Sequence, residues 1–395
     1  MTFTDLGIEA RFLLPLDKKG IAAASEIQCL VIPKLLAPGP DAPLFFSSPT
    51  GTGKTLAYAL PLVQRLLSRT KLNPATQSRP NAKYPKLLVL APTLELCAQI
   101  KKEFDLVAEG KSVLLSGSSA LSRQIETIKK KKPLCIVGNP ARILQLLALK
   151  KLNLAALEFI VLDEGDRLAD RELFEDTAAI LKTAFASAPP VIIACSATKP
   201  REGSRFFSLV KTADWEFARA GGTVPDTIEH WAFFTESRKK NAALRSFLAA
   251  AKPKKALVFV MSAGRCGTLV SILQHHHIAA AGLWSGMDKK ARKAALDDFR
   301  AGRVAVLAAS DLACRGLDID GITHVIALET GESADSYLHR CGRTGRAGRR
   351  GIMATIGDEE DLRNLQKIEK KLGIAVYPKE LRGGRVVSPE SKYRR

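Results

Sequence analysis

The alternation of short apolar runs with longer amphipathic segments is the feature that most constrains the fold. In the first half, strand-like runs are each followed by helix-like sequence: "LFFSS", "KLLVLAP", "SVLLSG", "LCIVGNP", "FIVLDEG" and "VIIACSAT". Strands that are buried on both faces and separated by helices form parallel sheets. The pattern predicts an α/β protein in which a mainly parallel sheet is flanked by helices.

The alternation stops at "KTADWEFARAGGTVPD" and then restarts with "KALVFVMS", "AAAGLWSG", "VAVLAASD", "THVIALE" and "GIMATIG". A chain of 395 residues also exceeds the size at which one hydrophobic core stops growing. We predict a first domain over residues 1–212, a linker over 213–225, a second domain over 226–376 and a basic flexible tail over 377–395. No short repeat links the halves, so any likeness between them would be one of fold.

The charge balance indicates the class of partner. With 60 Lys and Arg against 40 Asp and Glu, the net charge of +20 suggests a polyanion, most simply nucleic acid, with an anionic membrane surface as the rival. No apolar run approaches the roughly 18 residues that span a bilayer, and "MTFTDLGIEA" does not resemble a signal peptide. The seven cysteines contain no C-x-x-C pair, which fits reduced thiols. We expect a cytoplasmic protein, monomeric and without a membrane partner.

A phosphate-binding loop is the clearest chemical motif. "LFFSSPTGTGKTLAYALPLV" places a strand before Ser48 and a helix after Thr55, which is the context that such a loop requires. Its backbone N–H groups would face phosphates, Lys54 would reach the terminal phosphates, and the Thr55 hydroxyl would ligate Mg²⁺. A structural glycine-rich turn is the alternative, and nucleotide binding is the favoured interpretation.

An acidic cluster ends another predicted strand, in "FIVLDEGDRLAD". Beside a phosphate-binding loop, a strand-terminal Asp163 is expected to provide a second contact to Mg²⁺. Glu164 would then orient or deprotonate the attacking water.

A run of basic residues near the C-terminus also suits phosphate. "HRCGRTGR" spaces Arg340, Arg343 and Arg346 by threes, with glycines that let the backbone approach a ligand. Guanidinium groups bind the charge that develops on a transferred phosphoryl group, and an arginine from another domain can supply them. A solvated basic turn is the alternative.

Together these motifs resemble the DEAD-box ATP-dependent RNA helicases of superfamily 2, over nearly the whole chain and in the family's order. The matching segments are "GIAAASEIQ" with Phe3 (Q motif), "SPTGTGKT" (I), "PTLELC" (Ia), "SGSS" (glycine motif), "NPARI" (Ib), "DEGD" (II), "SAT" (III), "VFVMSAGR" (IV), "SDLACRGLD" (V) and "YLHRCGRTGRAG" (VI). The resemblance implies two tandem RecA-like domains, and its Q motif implies ATP rather than GTP.

The resemblance also implies roles for individual residues. It implies catalytic groups at Glu164, Asp163, Lys54, Arg343 and Arg346, with the two arginines as fingers, and Mg²⁺ at Thr55 and Asp163. It implies nucleotide contacts at Phe3, Gln28, Thr50, Gly51, Thr52, Gly53, Lys54, Thr55 and Asp318, the last holding the ribose. It implies coupling between domains through Asp166, Ser196, Thr198 and His339, and RNA contacts at Thr93, Gly117, Arg142, Ser310 and Arg315.

The function implied is RNA-stimulated ATP hydrolysis coupled to domain closure, which unwinds short RNA duplexes locally or remodels ribonucleoproteins. The RNA would be held by its backbone, and ribonucleoprotein or ribosome-assembly partners are possible. One alternative is an ATP-gated RNA clamp or annealing factor with little unwinding activity. Another, a P-loop kinase or signalling GTPase, leaves motifs V and VI unexplained.

The sequence departs from the family at several motif positions. Gly165 replaces alanine, which is expected to loosen the backbone between Glu164 and Asp166 by roughly 1 kcal/mol if the site is helical or strained, and to slow hydrolysis. Leu94 replaces an arginine of motif Ia, and loss of that arginine would remove one phosphate contact. Arg142 and the "KKKK" run at 129–132 are candidates to compensate. Further departures are Ser48, Ala23 and Ala24, Asn139 and Lys289, and a second candidate RNA anchor is the tail with Arg382, Arg385, Lys392, Arg394 and Arg395.

Overall fold

Two seven-stranded parallel sheets organise the chain, and its main division falls between Gly221 and Gly222. The computed structural model describes residues 1–37, 42–49, 51–72, 85–108, 110–186, 188–197, 200, 204–210, 215–220, 224–284, 286–314, 319–331 and 333–389. Each unit is a sheet with helices on both faces, so the predicted fold class is confirmed.

The first unit contains strands β1 to β7 and helices α1 to α9. The strands are Leu44–Ser47, Leu87–Leu90, Ser112–Leu115, Cys135–Gly138, Phe159–Asp163, Val191–Ser196 and Glu216–Arg219. The helices are Leu13–Asp17, Glu26–Leu36, Lys54–Leu72, Leu94–Val107, Leu121–Lys131, Pro140–Ala148, Gly165–Leu168, Phe174–Phe185 and Arg205–Leu209.

The first sheet has the order β3-β4-β2-β5-β6-β1-β7, and every pair is parallel. Alternate residues of a strand face opposite sides, so Leu44 and Phe46 join one core while Phe45 joins the other. Because all strands run the same way, their carboxyl ends form one edge of the sheet and their amino ends the opposite edge. We call these the carboxyl edge and the amino edge.

The second unit contains strands β8 to β16 and helices α10 to α15. The strands are Ile228–Phe234, Ala256–Val260, Ala280–Leu283, Val306–Ser310, His324–Ala327, Gly351–Gly357, Val376–Pro378, Glu380–Arg382 and Arg385–Val387. The helices are Lys240–Ala251, Ala263–His275, Lys289–Arg300, Asp311–Cys314, Ala334–Cys341 and Glu359–Leu372.

The second sheet has the order β10-β11-β9-β12-β13-β8-β14. Counted from the start of each unit, this is the strand order of the first sheet. The two halves therefore share a fold without sharing a visible sequence repeat. All seven cysteines are free thiols, in agreement with the prediction, and none of the described helices is long and apolar enough to cross a membrane.

β7 and β8, near the junction of the two units, lie where the sequence did not indicate strands. β7 falls inside the predicted linker and pairs with β1, but only Ala218 of its side chains is buried, so the strand has no apolar pattern. β8 precedes the first strand predicted for the second domain and pairs with β13. Its Glu229 and His230 interrupt an otherwise aromatic and aliphatic run, which hides the strand in the sequence.

We predicted a flexible tail from residue 377. This is wrong for the residues up to 387, which form strands. β14 extends the second sheet at β8, and β15 and β16 form an antiparallel hairpin that contacts α10. Leu381 and Val386 pack against the core on that face of the sheet. Gly383 and Gly384, which read as flexible in the sequence, both have positive φ and form the hairpin turn.

Replacement of Leu381 by alanine tests this ordered C-terminal segment. Leu381→Ala removes apolar packing between the hairpin and the core, and because the side chain is only half-buried we expect a loss of about 1–2 kcal/mol. Urea unfolding followed by tryptophan fluorescence measures it. Met261→Ala is the control, because Met261 is 68% exposed and should cost less than about 0.5 kcal/mol. Equal effects of the two changes would show that the hairpin does not stabilise the unit.

Candidate active site

Three loops meet at the carboxyl edge of the first sheet. Strands β5, β6 and β1 are neighbours, so the segments that follow them lie side by side. These segments carry Asp163 to Asp166, Ser196 and the predicted phosphate loop. In parallel α/β sheets, ligands bind outside the carboxyl ends of the strands. The sheet therefore brings the predicted nucleotide residues of this unit to one place.

The phosphate loop has the backbone that its glycines permit. Gly51 and Gly53 have φ angles of 81° and 89°, which other residues rarely adopt. A Cβ atom on Gly53 would also lie 2.4 Å from Nε2 of Gln28. The hydroxyls of Ser48 and Thr52 are hydrogen-bonded at 2.5 Å. The serine that replaces the usual first glycine therefore links the start of the loop to Thr52. Thr50 lies outside the described residues.

Lys54 begins α3 and lies among the acidic groups. Its Nζ donates a hydrogen bond to the carbonyl oxygen of Ser48 at 2.6 Å. Burial lowers the pKa of this ammonium, and the nearby carboxylates of Asp163, Glu164 and Asp166 oppose that effect. A phosphate oxygen could replace the carbonyl as the acceptor without moving the lysine far.

Asp163 ends β5 and is 3% exposed. Three donors hold its carboxylate: the Tyr58 hydroxyl at 2.8 Å, the Cys195 thiol at 3.3 Å and the Glu164 backbone N–H at 2.9 Å. Burial, followed by the charge of Asp163, raises the pKa of both Tyr58 and Cys195. Both groups therefore remain protonated donors at neutral pH.

Sequence reasoning missed Tyr58 and Cys195, although positional signals were present. Tyr58 lies one helical turn after Thr55, and its hydroxyl is hydrogen-bonded to Thr55 as well as to Asp163. Cys195 is the register partner of Asp163 across β5 and β6. The two predicted Mg²⁺ ligands, Thr55 and Asp163, thus lie within reach of one buried hydroxyl.

The acidic residues after Asp163 lie in a tight turn. Glu164 has a left-handed backbone, with φ 51° and ψ 52°, and the short helix α7 follows it. Burial raises the pKa of Asp166 to about 6, and a hydrogen bond from Ser196 partly offsets this. Motifs II and III are therefore joined within this unit by Asp166 and Ser196. Thr198, the third predicted member of this contact, lies outside the described residues.

Gly165 has a packing reason that the sequence does not show. It has an ordinary φ and begins the short helix α7, so the loosening expected for a glycine at a helical site stays a prediction. A Cβ atom there would lie 3.0 Å from Cε2 of Phe206 and 3.7 Å from Cβ of Ala194. The Phe206 ring is 1% exposed and is wedged against Phe45 and Trp215, with ring centroids 5.5 and 5.4 Å away. Phe206 occupies the space that the alanine methyl group of the family would need.

Phe3 and Gln28, the two Q-motif residues predicted to contact the nucleotide, already make contacts within this unit. Gln28 accepts a hydrogen bond from the Ser25 N–H at 2.9 Å, and its amide donates to the Gly53 carbonyl at 3.1 Å. It thus joins α2 to the phosphate loop. Phe3 is 2% exposed within the core, so a base could not lie on its ring unless the first residues moved.

The predicted RNA residues of this unit follow β2, β3 and β4, on the other half of the carboxyl edge. Thr93 caps α4 through a hydrogen bond from the Leu96 N–H, and Gly117 lies in an open turn. Arg142 donates to the Ser119 carbonyl at 3.3 Å and to Oε1 of Gln124 at 3.2 Å. The arginine therefore ties motif Ib to the glycine motif.

The lysine run at 129–132 does not lie with these residues. Lys129 to Lys131 form the last turn of α5, and β4 begins at Cys135, so the run lies at the amino edge. Leu94 follows β2 at the carboxyl edge, so the run cannot make the contact of an arginine at that position, and any compensation would come from a separate surface. Arg142, the other candidate, does lie at the carboxyl edge. The side chain of Lys289 lies outside the described residues.

In the second unit, the three arginines of motif VI differ in their contacts. Arg340 forms two hydrogen bonds to Asp311, at 2.7 and 2.6 Å, and a third to the Glu329 carbonyl at 2.6 Å. It is therefore a structural link between motifs V and VI and is not available for phosphate. The Nε atoms of Arg343 and Arg346 donate to the carbonyl groups of His339 and Gly342, at 3.1 and 3.0 Å.

Two further predicted residues of the second unit can be located. Ser310 ends β11 at the carboxyl edge of its sheet and is 7% exposed. His339 lies in the last turn of α14. Arg315 and Asp318 lie outside the described residues.

Gly165→Ala tests the packing against Phe206. Alanine normally stabilises a helix relative to glycine, but an extra methyl group in a filled core typically costs about 1–3 kcal/mol. We therefore expect Gly165→Ala to lower the free energy of unfolding by about 1 kcal/mol or more. Phe206→Leu should reduce that cost, with a coupling energy above about 0.5 kcal/mol in a double-mutant cycle.

Gly267→Ala is the control, because this glycine lies in α11 and its added Cβ would meet nothing within 4 Å. It should stabilise the chain by about 0.5–1 kcal/mol. A stabilising effect of Gly165→Ala as well would show that the Phe206 ring yields to the methyl group.

Comparison with known proteins gives a consistent assignment. The model of the DEAD/DEAH box helicase family matches residues 25–206, and that of the helicase conserved C-terminal domain matches residues 239–348. The chain is 34% identical over 379 residues to the DEAD-box ATP-dependent RNA helicase CshC of Bacillus cereus, covering 95% of this chain and 92% of the relative. It is 31% identical over 377 residues to the RNA helicase CrhR of Synechocystis, covering 94% and 73%.

Solved structures show the same fold. Saccharomyces cerevisiae Dbp5 bound to RNA and ADP BeF3 superposes with a TM-score of 0.80 at 24% identity, covering 95% of each chain. Mss116p bound to ssRNA and AMP-PNP gives a TM-score of 0.82 at 20% identity, covering 96% of this chain and 80% of that one. With the sequence matches over nearly the full length, the conclusion is that this chain belongs to the family of DEAD-box ATP-dependent RNA helicases.

Proposed function

We propose that this chain hydrolyses ATP when RNA is bound and uses the cycle to unwind short RNA duplexes or to remodel ribonucleoproteins. The observation that carries the proposal is the continuity of the first carboxyl edge. Its β5-β6-β1 half holds the phosphate loop and the acidic cluster, and its β3-β4-β2 half holds the predicted RNA residues. One rigid sheet therefore connects the two sets of residues.

In this proposal, Lys54 binds the terminal phosphates and Glu164 orients the attacking water. Arg343 and Arg346 of the second unit stabilise the charge that develops on the transferred phosphoryl group. Asp318 holds the ribose, and Asp166, Ser196, Thr198 and His339 couple closure of the two units to hydrolysis. Thr93, Gly117, Arg142, Ser310 and Arg315 contact the RNA backbone.

The residues at the site also fit Mg²⁺. A threonine hydroxyl and a carboxylate are the oxygen ligands that this ion prefers, and Tyr58 holds Thr55 and Asp163 together. Thr55 and Asp163 would hold the ion, which would neutralise charge on the phosphates.

The RNA contacts include a possible means of recognising ribose. The buried Oδ1 atom of Asn139 accepts no hydrogen bond within the described part of the chain. Asn139 precedes α6 at the carboxyl edge, beside Arg142. A 2′-hydroxyl could donate to this oxygen if the start of α6 moved to expose it, which would favour RNA over DNA.

We further propose that the protein acts as a monomer in the cytoplasm, with ribonucleoprotein or ribosome-assembly partners. The alternative of a clamp that barely unwinds is not favoured, because the relatives are named helicases. A kinase or signalling GTPase is excluded, because the helicase family models cover both halves of the chain.

ATP hydrolysis measured with and without single-stranded RNA tests the proposal. Saturating RNA should tighten the binding of a non-hydrolysable ATP analogue by about 5- to 150-fold, and the analogue should tighten RNA binding by the same factor. Glu164→Gln should retain this mutual effect and lose about 10²-fold or more of the RNA-stimulated rate. ATPase rates that do not respond to RNA would refute the coupling.

Tyr58→Phe tests how Asp163 is positioned. The change removes only the hydroxyl that donates to Asp163, and loss of a group that orients a metal ligand typically costs about 10- to 100-fold in metal affinity. We expect the Mg²⁺ concentration for half-maximal binding of a fluorescent ATP analogue to rise by about tenfold or more. Binding is measured without turnover.

Tyr337→Phe provides the matched control. Its hydroxyl is also buried and hydrogen-bonded, to Nδ1 of His230 at 2.8 Å, but it belongs to the second unit and does not contact Asp163. It should leave the Mg²⁺ dependence unchanged. The same dependence in both variants would mean that the Tyr58 hydroxyl does not orient the carboxylate.

A further inference from the structure

The amino edge of the first sheet carries a concentration of lysines that the ATP and RNA motifs do not use. We define the lysine edge as Lys86, Lys111, Lys129 to Lys132, Lys150 and Lys151. Apart from Lys86, which is half-buried, these side chains are exposed. The edge lies at the opposite ends of the strands that carry the predicted RNA residues.

The backbone shows that these lysines are neighbours in space. The N–H of Cys135 donates to the carbonyl of Lys111 at 3.1 Å, and the N–H of Lys86 donates to that of Leu134 at 3.0 Å. The N–H of Glu158 in turn donates to the carbonyl of Lys86 at 2.8 Å. The segments that enter β3, β4, β2 and β5 therefore form one continuous surface.

Two helices add most of the charge. α5 ends with Lys129 to Lys131, and Lys150 and Lys151 follow the end of α6. Ile128 of α5 and Leu146 of α6 belong to the same core cluster, so both helices cover the same face of the sheet. Their C-terminal ends consequently present the two groups of lysines at the same edge.

Few carboxylates balance this charge. Glu126 pairs with Lys130 at 2.7 Å, and Glu158 pairs with Lys86 at 3.3 Å. Lys129, Lys131, Lys132, Lys150 and Lys151 form no ion pair with any carboxylate in the described ranges of the chain. The surface therefore keeps a strong positive potential.

Local stability does not account for these residues. A lysine in the last turn of a helix is stabilised by the helix dipole, which gives the lysines within α5 a local role. Lys132 and Lys150, however, have φ angles of 42° and 55° at positions after a helix end, where glycine or asparagine is preferred. Lysine at these two positions is therefore less stable than glycine would be.

We propose that the lysine edge is a second RNA-binding surface, which holds the phosphate backbone of a structured RNA segment outside the ATP-dependent tract. Exposed ammonium groups on flexible stems suit phosphates, which they contact without reading sequence. Because this edge is remote from the phosphate loop in the sheet, its binding does not depend on nucleotide. It tethers the protein to a large RNA while the carboxyl edge binds and releases its own strand.

The test replaces Lys129, Lys131, Lys150 and Lys151 together by glutamine. The probes are a long RNA hairpin with a single-stranded tail and a short single strand that covers only the carboxyl edge. Without nucleotide, affinity for the hairpin should fall, and the slope of log affinity against log salt should decrease by about 2–4, since each phosphate contact contributes about 0.7–0.9. Binding of the short strand and its response to an ATP analogue should not change, which separates this surface from the proposed catalytic function.

The control replaces Lys18, Lys102, Lys254 and Lys370, which are exposed and lie outside the lysine edge, by glutamine and so removes the same charge. This variant should keep the hairpin salt slope of the parent protein. An equal loss in both variants would overturn the proposal in favour of general electrostatics, and an unchanged slope in the edge variant would overturn it outright. Binding to anionic lipid vesicles that is lost only in the edge variant, with an unchanged RNA slope, would assign the surface to a membrane instead.

Discussion

The nucleotide site depends on keeping an ammonium and three carboxylates close together at the end of a parallel sheet. Such charges are costly to remove from water unless they are paired and hydrogen-bonded. Lys54 begins a helix, Asp163 ends the strand two places away, and β6 lies between them. The Tyr58 hydroxyl and the Cys195 thiol then donate hydrogen bonds to the carboxylate of Asp163. The order of the strands, more than any one residue, makes this arrangement possible.

Some departures from the family sequence have a local reason, either in side-chain packing or in hydrogen bonding. The ring of Phe206 lies 3.0 Å from the place that a methyl group at Gly165 would take. Ser48 replaces a glycine and contributes a hydroxyl that binds Thr52 within the loop. In motif VI, Arg340 is fixed by Asp311, so one arginine builds the segment that presents the next two. None of these exchanges removes a charged group that the chemistry requires.

The elements with strong apolar patterns and the residues in sequence motifs could be predicted. β1 to β6 and β9 to β13 were recognisable because each is buried on both faces, whereas β7 and the β15–β16 hairpin bury too little to leave a pattern. Contacts across the sequence were not predictable: Phe206 lies 41 positions after Gly165, and Tyr58 lies 105 positions before Asp163. The lysine run was visible, but only the direction of the strands shows which edge of the sheet it occupies.

Glu164 combines a left-handed backbone, which costs stability, with a carboxylate that is predicted to take part in the chemistry. Glutamate rarely adopts this conformation, whereas glycine and asparagine do so readily. Selection for heat resistance alone would therefore push the position away from its carboxylate. A thermally hardened descendant of this protein would therefore be expected to lose this carboxylate first, while its fold and its phosphate loop persisted.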